Sequence, residues 1–381
     1  MTTRNPTPRS DDTTDQNSLH PRAAALMVVL LLAGGSVLLR ALSGPQQIEQ
    51  WYSRRTFPVL REGFDATMGR LPFPLFYLFW VVMLWLLLRL IVNVISSKRK
   101  GYRKRVILKF TGLRVGQVIG WLLVIFLWAW GFNYGRVAVE EQIGFAVYQP
   151  SLEELREKVY REAAVLGKLR AEISNDTLAL RAHHLPNDLE TSVRPLVATA
   201  LLRHGYPAPG KPRGWKLLPK GILLRLSTAG VYWPWAGQGN IDAGLHPLQQ
   251  PAVLAHELAH AYGFGDEGTC SFWAQLAAFE TDDPALQYTI RLAYWRQLAG
   301  QLRYIDPEGY LAWRQERMPP GVRNDLQAIY DNGALYADIA PVLRDATYTA
   351  YLHAQGIEEG LLNYGRVVQL VEGYERNYSS R

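Results

Sequence analysis

Three apolar stretches near the N-terminus, residues 23–39, 73–95 and 115–132, constrain this sequence more than any other feature. Each, coiled as a helix, is about long enough to cross a bilayer. Backbone in hydrocarbon must satisfy its own hydrogen bonds, which selects helices. The reading is a membrane domain with three transmembrane helices over residues 23–135, followed by a globular domain over 136–381. The polar segment 1–22, rich in Thr, Asp, Asn and Pro, reads as a disordered tail. Residues 23–39 read as an uncleaved span rather than a signal peptide, because Arg40 is badly placed for cleavage and two more spans follow.

Charge supplies the expected orientation. Residues 1–114 carry 17 Lys and Arg against 6 Asp and Glu, whereas 115–381 carry 24 against 28. The net charge of +7 therefore belongs to the membrane-flanking part, and no motif points to nucleic acid as a partner. Segment 97–114 holds eight basic residues and no acid, while 43–70 mixes four Arg with Glu49, Glu62 and Asp65. The positive-inside rule then puts 97–114 and the N-terminal tail in the cytoplasm. The first loop and everything beyond the third span lie outside, and the lipid bilayer is the first expected partner. The third span ends in Trp128, Trp130 and Tyr134, which suit an interface, with Asn133 and Arg136 placed to join the span to the outer domain. A single cysteine, Cys270, excludes an intrachain disulfide and leaves the compartment open.

The outer domain reads as mainly helical. Ser151 and Glu154 form a capping box before an amphipathic helix over 152–173, and 188–204 reads as a second helix ended by Gly205. Segment 206–221 reads as a connection. Segment 222–235 reads as a strand that Pro234 pushes to a sheet edge, and 237–246 as a turn-rich loop. Helices are expected over 284–304, 326–356 and 357–374, with 306–323 mixed.

The chemistry concentrates in 251–280. His256-Glu257-Leu258-Ala259-His260 is an H-E-x-x-H on a helical pattern. Histidines four apart share a helix face and can offer two imidazole nitrogens to one Zn2+. Glu257 is placed to act on water at that ion as general base. A third protein ligand is needed. Gly263 can stop the helix, Asp266 can cap the next one, and the reversal carries Glu267 back toward the histidines. Glu267 is the expected ligand, with Asp266 and Glu280 as alternatives and Cys270 a conceivable soft ligand. Ser271, four residues after Glu267, can hydrogen-bond a ligand. Tyr232, His353, Tyr351 and Tyr364 are candidate donors to substrate or oxyanion. His183, His184 and His246 read as loop residues. Val231–Trp235 is the candidate edge for a peptide substrate.

These residues resemble a family of bacterial three-span membrane proteins of unknown function, regarded as zincin-like. The likeness rests on Trp130-Gly-Phe-Asn-Tyr-Gly-Arg136, on Gly230-Val-Tyr-Trp-Pro234, on the run from His256 to Glu267, and on Tyr351-Leu-His-Ala-Gln-Gly356 with Gly360-Leu-Leu-Asn-Tyr-Gly365. The family pattern continues E-x-E-A-N where this chain has Glu267-Gly-Thr-Cys-Ser271, which keeps the first acid and replaces the second acid and the Asn. The resemblance implies Glu267 as ligand, the cytoplasmic membrane of a bacterium, and a mainly α, α+β zincin-like extracytoplasmic domain with a small β edge. The expected activity is zinc-dependent hydrolysis of peptide bonds in a peptide or protein substrate. The alternative is a non-catalytic zincin-fold protein acting as sensor or envelope assembly factor.

Overall fold

A computed structural model describes residues 11–339, 341–357, 363 and 365–379. They form two compact units, one of residues up to Gly44 with Leu75–Gly131, the other of Pro45–Pro74 with Phe132 onward.

The first unit holds three helices long and apolar enough to cross a membrane, with spans at Ala23–Leu42, Leu75–Arg99 and Lys104–Ala129. The first belongs to a longer helix, Asp11–Leu42. The expected tail is thus helical from Asp11. The expected basic loop 97–114 is mostly helix, with its charges on the ends of the second and third helices. The first and third helices approach closely where Gly116 and Gly120 face Leu26 and Val29. Such small residues let backbones meet where water gives no driving force. Trp128 Nε1 donates to Ser36 Oγ across this contact at 2.9 Å. Leu31, Leu84, Trp85, Ile119 and Trp121 are exposed, as lipid-facing residues are.

The second unit is mostly helical. It includes Pro45–Pro74, which the sequence alone assigns to the membrane domain. The physical reason is burial: Tyr52 in this segment packs with Phe57 and with Phe132, and all three are almost fully covered. Helix Leu152–Ile173 has the expected capping box, with Ser151 and Glu154 bonded reciprocally. It packs on helix Pro284–Ile305, where Trp295 Nε1 donates to the Val159 carbonyl at 2.9 Å. Asp325 is fully buried and accepts from Arg170 Nε, Leu180 N–H and Tyr288 Oη, which ties four segments together. The expected helix over 326–356 is two helices, Pro320–Ala334 and Pro341–Ala354, and the last helix is Arg366–Ser379.

The sheet, among the described residues, has three strands: β1 (Gly214–Leu217), β2 (Gly230–Trp233) and β3 (Gln238–Asp242). Their order is β1-β3-β2, with β1 parallel and β2 antiparallel to β3. Strand β2 is therefore an edge, as Pro234 implied, but it is shorter than 222–235, whose first half contains the 3-10 turn Leu224–Leu226. The segments read as connection and loop supply β1 and β3. Asp242 at the end of β3 accepts four backbone N–H groups, from Gly221, Leu223, Leu224 and Gly244, at 2.6–3.1 Å. This carboxylate shapes the turns around the sheet.

Candidate metal centre

The H-E-x-x-H lies on helix Gln250–Ala261, which is buried on nearly every side. Polar side chains on such a helix need partners. The helix stops at Gly263, whose φ of +94° suits a residue without Cβ. Gly263 N–H bonds to the His260 carbonyl and Phe264 N–H to the Ala259 carbonyl, which is a Schellman ending. Asp266 then caps helix Glu267–Ala277 by accepting from Thr269 N–H at 2.6 Å. Glu267 consequently sits in a first turn that faces back to the histidines.

Three ligand atoms converge. His256 Nε2 and His260 Nε2 are 3.1 Å apart, and Glu267 Oε2 lies 3.0 Å from the first and 3.3 Å from the second. In a tetrahedral zinc site with bonds of about 2.0 Å, neighbouring ligand atoms are roughly 3.3 Å apart. The triangle has that size, so the residues fit such an ion. The opposite ring nitrogens are anchored. His260 Nδ1 donates to the Phe264 carbonyl at 2.7 Å, which leaves Nε2 as the metal-facing nitrogen. Burial lowers the His260 pKa, but Cys270 and Glu267 more than offset this and hold it well above the usual imidazole range, so an ion bound here displaces a proton from Nε2. His256 Nδ1 lies 3.1 Å from Ser271 Oγ. Burial lowers the His256 pKa, which favours the neutral ring a metal requires. Burial also raises the Glu267 carboxyl, but His260 and His256 more than offset this and hold it well below the usual carboxylate range.

Glu257 is buried, and its Oε2 has no hydrogen-bond partner among the described residues. Burial pushes its carboxyl up to about 8, with His260 and a hydrogen bond from Tyr232 N–H pulling down and Glu267 pushing up. It fits between helix and sheet because two positions have no side chain. A Cβ on Gly230 would come within 2.5 Å of Glu257 Oε1 and 2.9 Å of the Asn240 carbonyl oxygen. One on Gly239 would come within 2.9 Å of Glu257 Cβ and 3.1 Å of its carbonyl. Gly239→Ala should cost about 1–3 kcal/mol, since the methyl would press on the Glu257 backbone, which cannot rotate away as a side chain can. Thermal unfolding of the detergent-solubilised protein checks this, and an unchanged midpoint would refute the tight contact.

The other candidates are placed as follows. Asp266 is the helix cap, held by Asn363 Nδ2 at 2.8 Å and Arg366 Nη1 at 3.0 Å, so it is not a ligand. Glu280 pairs with Arg203 at 3.1 Å. Cys270 Sγ lies 3.2 Å from His260 Nδ1, the ring nitrogen turned away from the cluster, and burial pushes its thiol up to about 12. The Tyr232 ring stacks near His260, but its hydroxyl hydrogen-bonds Arg61. His353 is exposed and five residues past Tyr348, about 140° round the same helix. Tyr364 lies outside the described residues. Tyr351 Oη meets Tyr134 Oη at 3.1 Å.

Several residues of the site escaped the sequence reading. Tyr348 Oη donates to Glu267 Oε1 at 2.8 Å. Asn363, inside the C-terminal pattern quoted above, accepts from Gly268 N–H at 3.0 Å and so clamps the Glu267 turn. Arg136 Nη1 donates to the Gly263 carbonyl at 2.8 Å and reaches Glu49 with two further bonds of 2.8 Å.

Three helices long and apolar enough to cross a membrane, and a mostly helical unit in which His256, His260 and Glu267 converge, define a class of membrane protein with a candidate metal centre. The chain belongs to the family described as protein of unknown function, DUF3810, whose model matches residues 52–371. Neither the curated proteins nor the solved structures contain a significant match.

Proposed function

We propose that this protein is a membrane-anchored zinc metallopeptidase with a zincin-like domain, its second unit facing away from the cytoplasm. The carrying observation is the convergence of His256 Nε2, His260 Nε2 and Glu267 Oε2 to within 3.0–3.3 Å of one another. When bound, zinc supplies a Lewis acid that acidifies water and polarises a carbonyl. Glu257 receives the proton of the attacking water and returns it to the leaving amine nitrogen.

The peptide lies along β2. Asp242 N–H bonds to the Ala229 carbonyl, which puts residues 229, 231 and 233 in hydrogen-bonded pairing with β3. Gly230 then turns its backbone groups to the outer edge, beside Glu257, which takes the Tyr232 N–H. A substrate strand added there presents its carbonyl to the same place. The basic residues around 97–114 support the orientation by the positive-inside rule.

Metal analysis of the purified protein tests the reading. About one zinc per chain is expected in the wild type and none in a His256→Ala, His260→Ala double variant. Equal metal in both would sink the assignment.

A further inference from the structure

A carboxylate ligand has two oxygens, and a catalytic zinc has to keep one coordination position open. Glu267 divides its oxygens sharply. Oε2 faces both imidazole Nε2 atoms, at 3.0 and 3.3 Å. Oε1 accepts the Tyr348 hydroxyl at 2.8 Å. Glu267 itself is almost fully buried, so this bond replaces water that cannot reach the oxygen.

Tyr348 comes from helix Pro341–Ala354, 81 residues further along the chain. Its ring stacks on Tyr351 with centroids 6.2 Å apart. The Tyr351 hydroxyl in turn meets Tyr134, whose ring packs against Gly265 of the turn before Glu267. A Cβ on Gly265 would lie 2.5 Å from that ring. The hydroxyl that reaches Glu267 is therefore steered by two further aromatic residues, while nothing on the ligand helices Gln250–Ala261 and Glu267–Ala277 performs this task.

From this geometry we infer that Tyr348 is a positioning residue that keeps Glu267 a one-oxygen metal ligand and so preserves the open position for water. The inference rests on the metal reading above. Without the hydroxyl, Oε1 loses its partner in a buried place, and its remaining favourable contact is the ion. The carboxylate then swings to offer both oxygens and fills the position water needs.

The experiment compares wild type, Tyr348→Phe and Tyr351→Phe after exchange of the metal for Co2+. The visible spectrum reports coordination number, because four-coordinate Co2+ absorbs more strongly than five-coordinate Co2+. Tyr348→Phe should still bind one metal per chain, with a weaker band characteristic of higher coordination and peptide hydrolysis down roughly 10–100-fold. Tyr351→Phe should keep the wild-type spectrum, because it retains the ring that stacks on Tyr348 and removes a hydroxyl that does not touch Glu267. A wild-type spectrum in Tyr348→Phe overturns the inference while leaving the metal site standing. An equal change in Tyr351→Phe also overturns it, by assigning the effect to the placement of the helix. Wild-type protein that takes up no cobalt overturns the metal reading, and the inference with it.

Discussion

Glu257→Gln should abolish peptide hydrolysis, with a loss of about 10²–10⁴-fold, and leave metal content unchanged. The amide has the carboxylate's shape, so the contacts with Gly230 and Gly239 survive, and neither amide atom is a metal ligand. It cannot take a proton from water. The same substitution has a signature in stability that is independent of turnover. In the metal-free protein the folded carboxyl titrates near 8, against an ordinary value of 4.5. The folded state therefore holds a proton that the unfolded state has released, and stability falls as pH rises from about 4.5 toward 8. Glutamine removes that slope. Unfolding midpoints across this range, measured on both proteins, should diverge with rising pH, the variant becoming the more stable. Full hydrolytic activity in Glu257→Gln would remove the base assignment. A phenotype indifferent to Glu257, in a protein that binds zinc, would favour the sensor or assembly role.

The parts legible in the sequence are those whose signal is local. Helix Leu152–Ile173 shows its apolar spacing and its capping box within a few residues. The arrangement from His256 to Glu267 is local as well, since Gly263 stops one helix, Asp266 starts the next, and the spacing does the rest. Strand β3 is different. Its five residues, Gln238 to Asp242, are all buried, yet Gln238, Asn240 and Asp242 are polar, so no apolar alternation marks it. Two of those side chains bond to backbone instead, Asp242 to four N–H groups and Asn240 Nδ2 to the Val231 and Gln238 carbonyls. Tyr348 was hidden for another reason. It meets Glu267 across 81 residues of chain, and a tyrosine on a half-exposed helix carries no pattern that names its partner. Segment 45–74 looked like a loop because it lies between two spans, and only tertiary contact shows that it belongs to the second unit.

That last point leads to the largest expected loss of stability, in Glu49→Ala. Glu49 sits in a π-helical stretch, Ile48–Thr56, and its side chain is 4% exposed. It receives Arg136 through Nε and Nη2, both at 2.8 Å, and Arg54 Nε at 2.9 Å. Arg136 is 7% exposed, and its guanidinium lies 4.3 Å over the Phe264 ring. Its remaining arm holds the Gly263 carbonyl, in the turn between the two ligand helices. Alanine in place of Glu49 leaves a buried guanidinium without its counter-ion, which typically costs about 3–5 kcal/mol. For a domain of ordinary stability that is a large share of the total. A double variant, Glu49→Leu with Arg136→Met, should recover part of the loss, because no buried charge is then stranded. It should not recover all of it, since the Gly263 carbonyl stays unpaired at about 1–3 kcal/mol. Metal retention separates this account from general destabilisation. If Arg136 sets the turn that aims Glu267, the double variant should bind zinc more weakly than wild type at a temperature where both are folded. Equal zinc affinity in the folded double variant would show that the ion pair supports the fold alone and that the two ligand helices align without it.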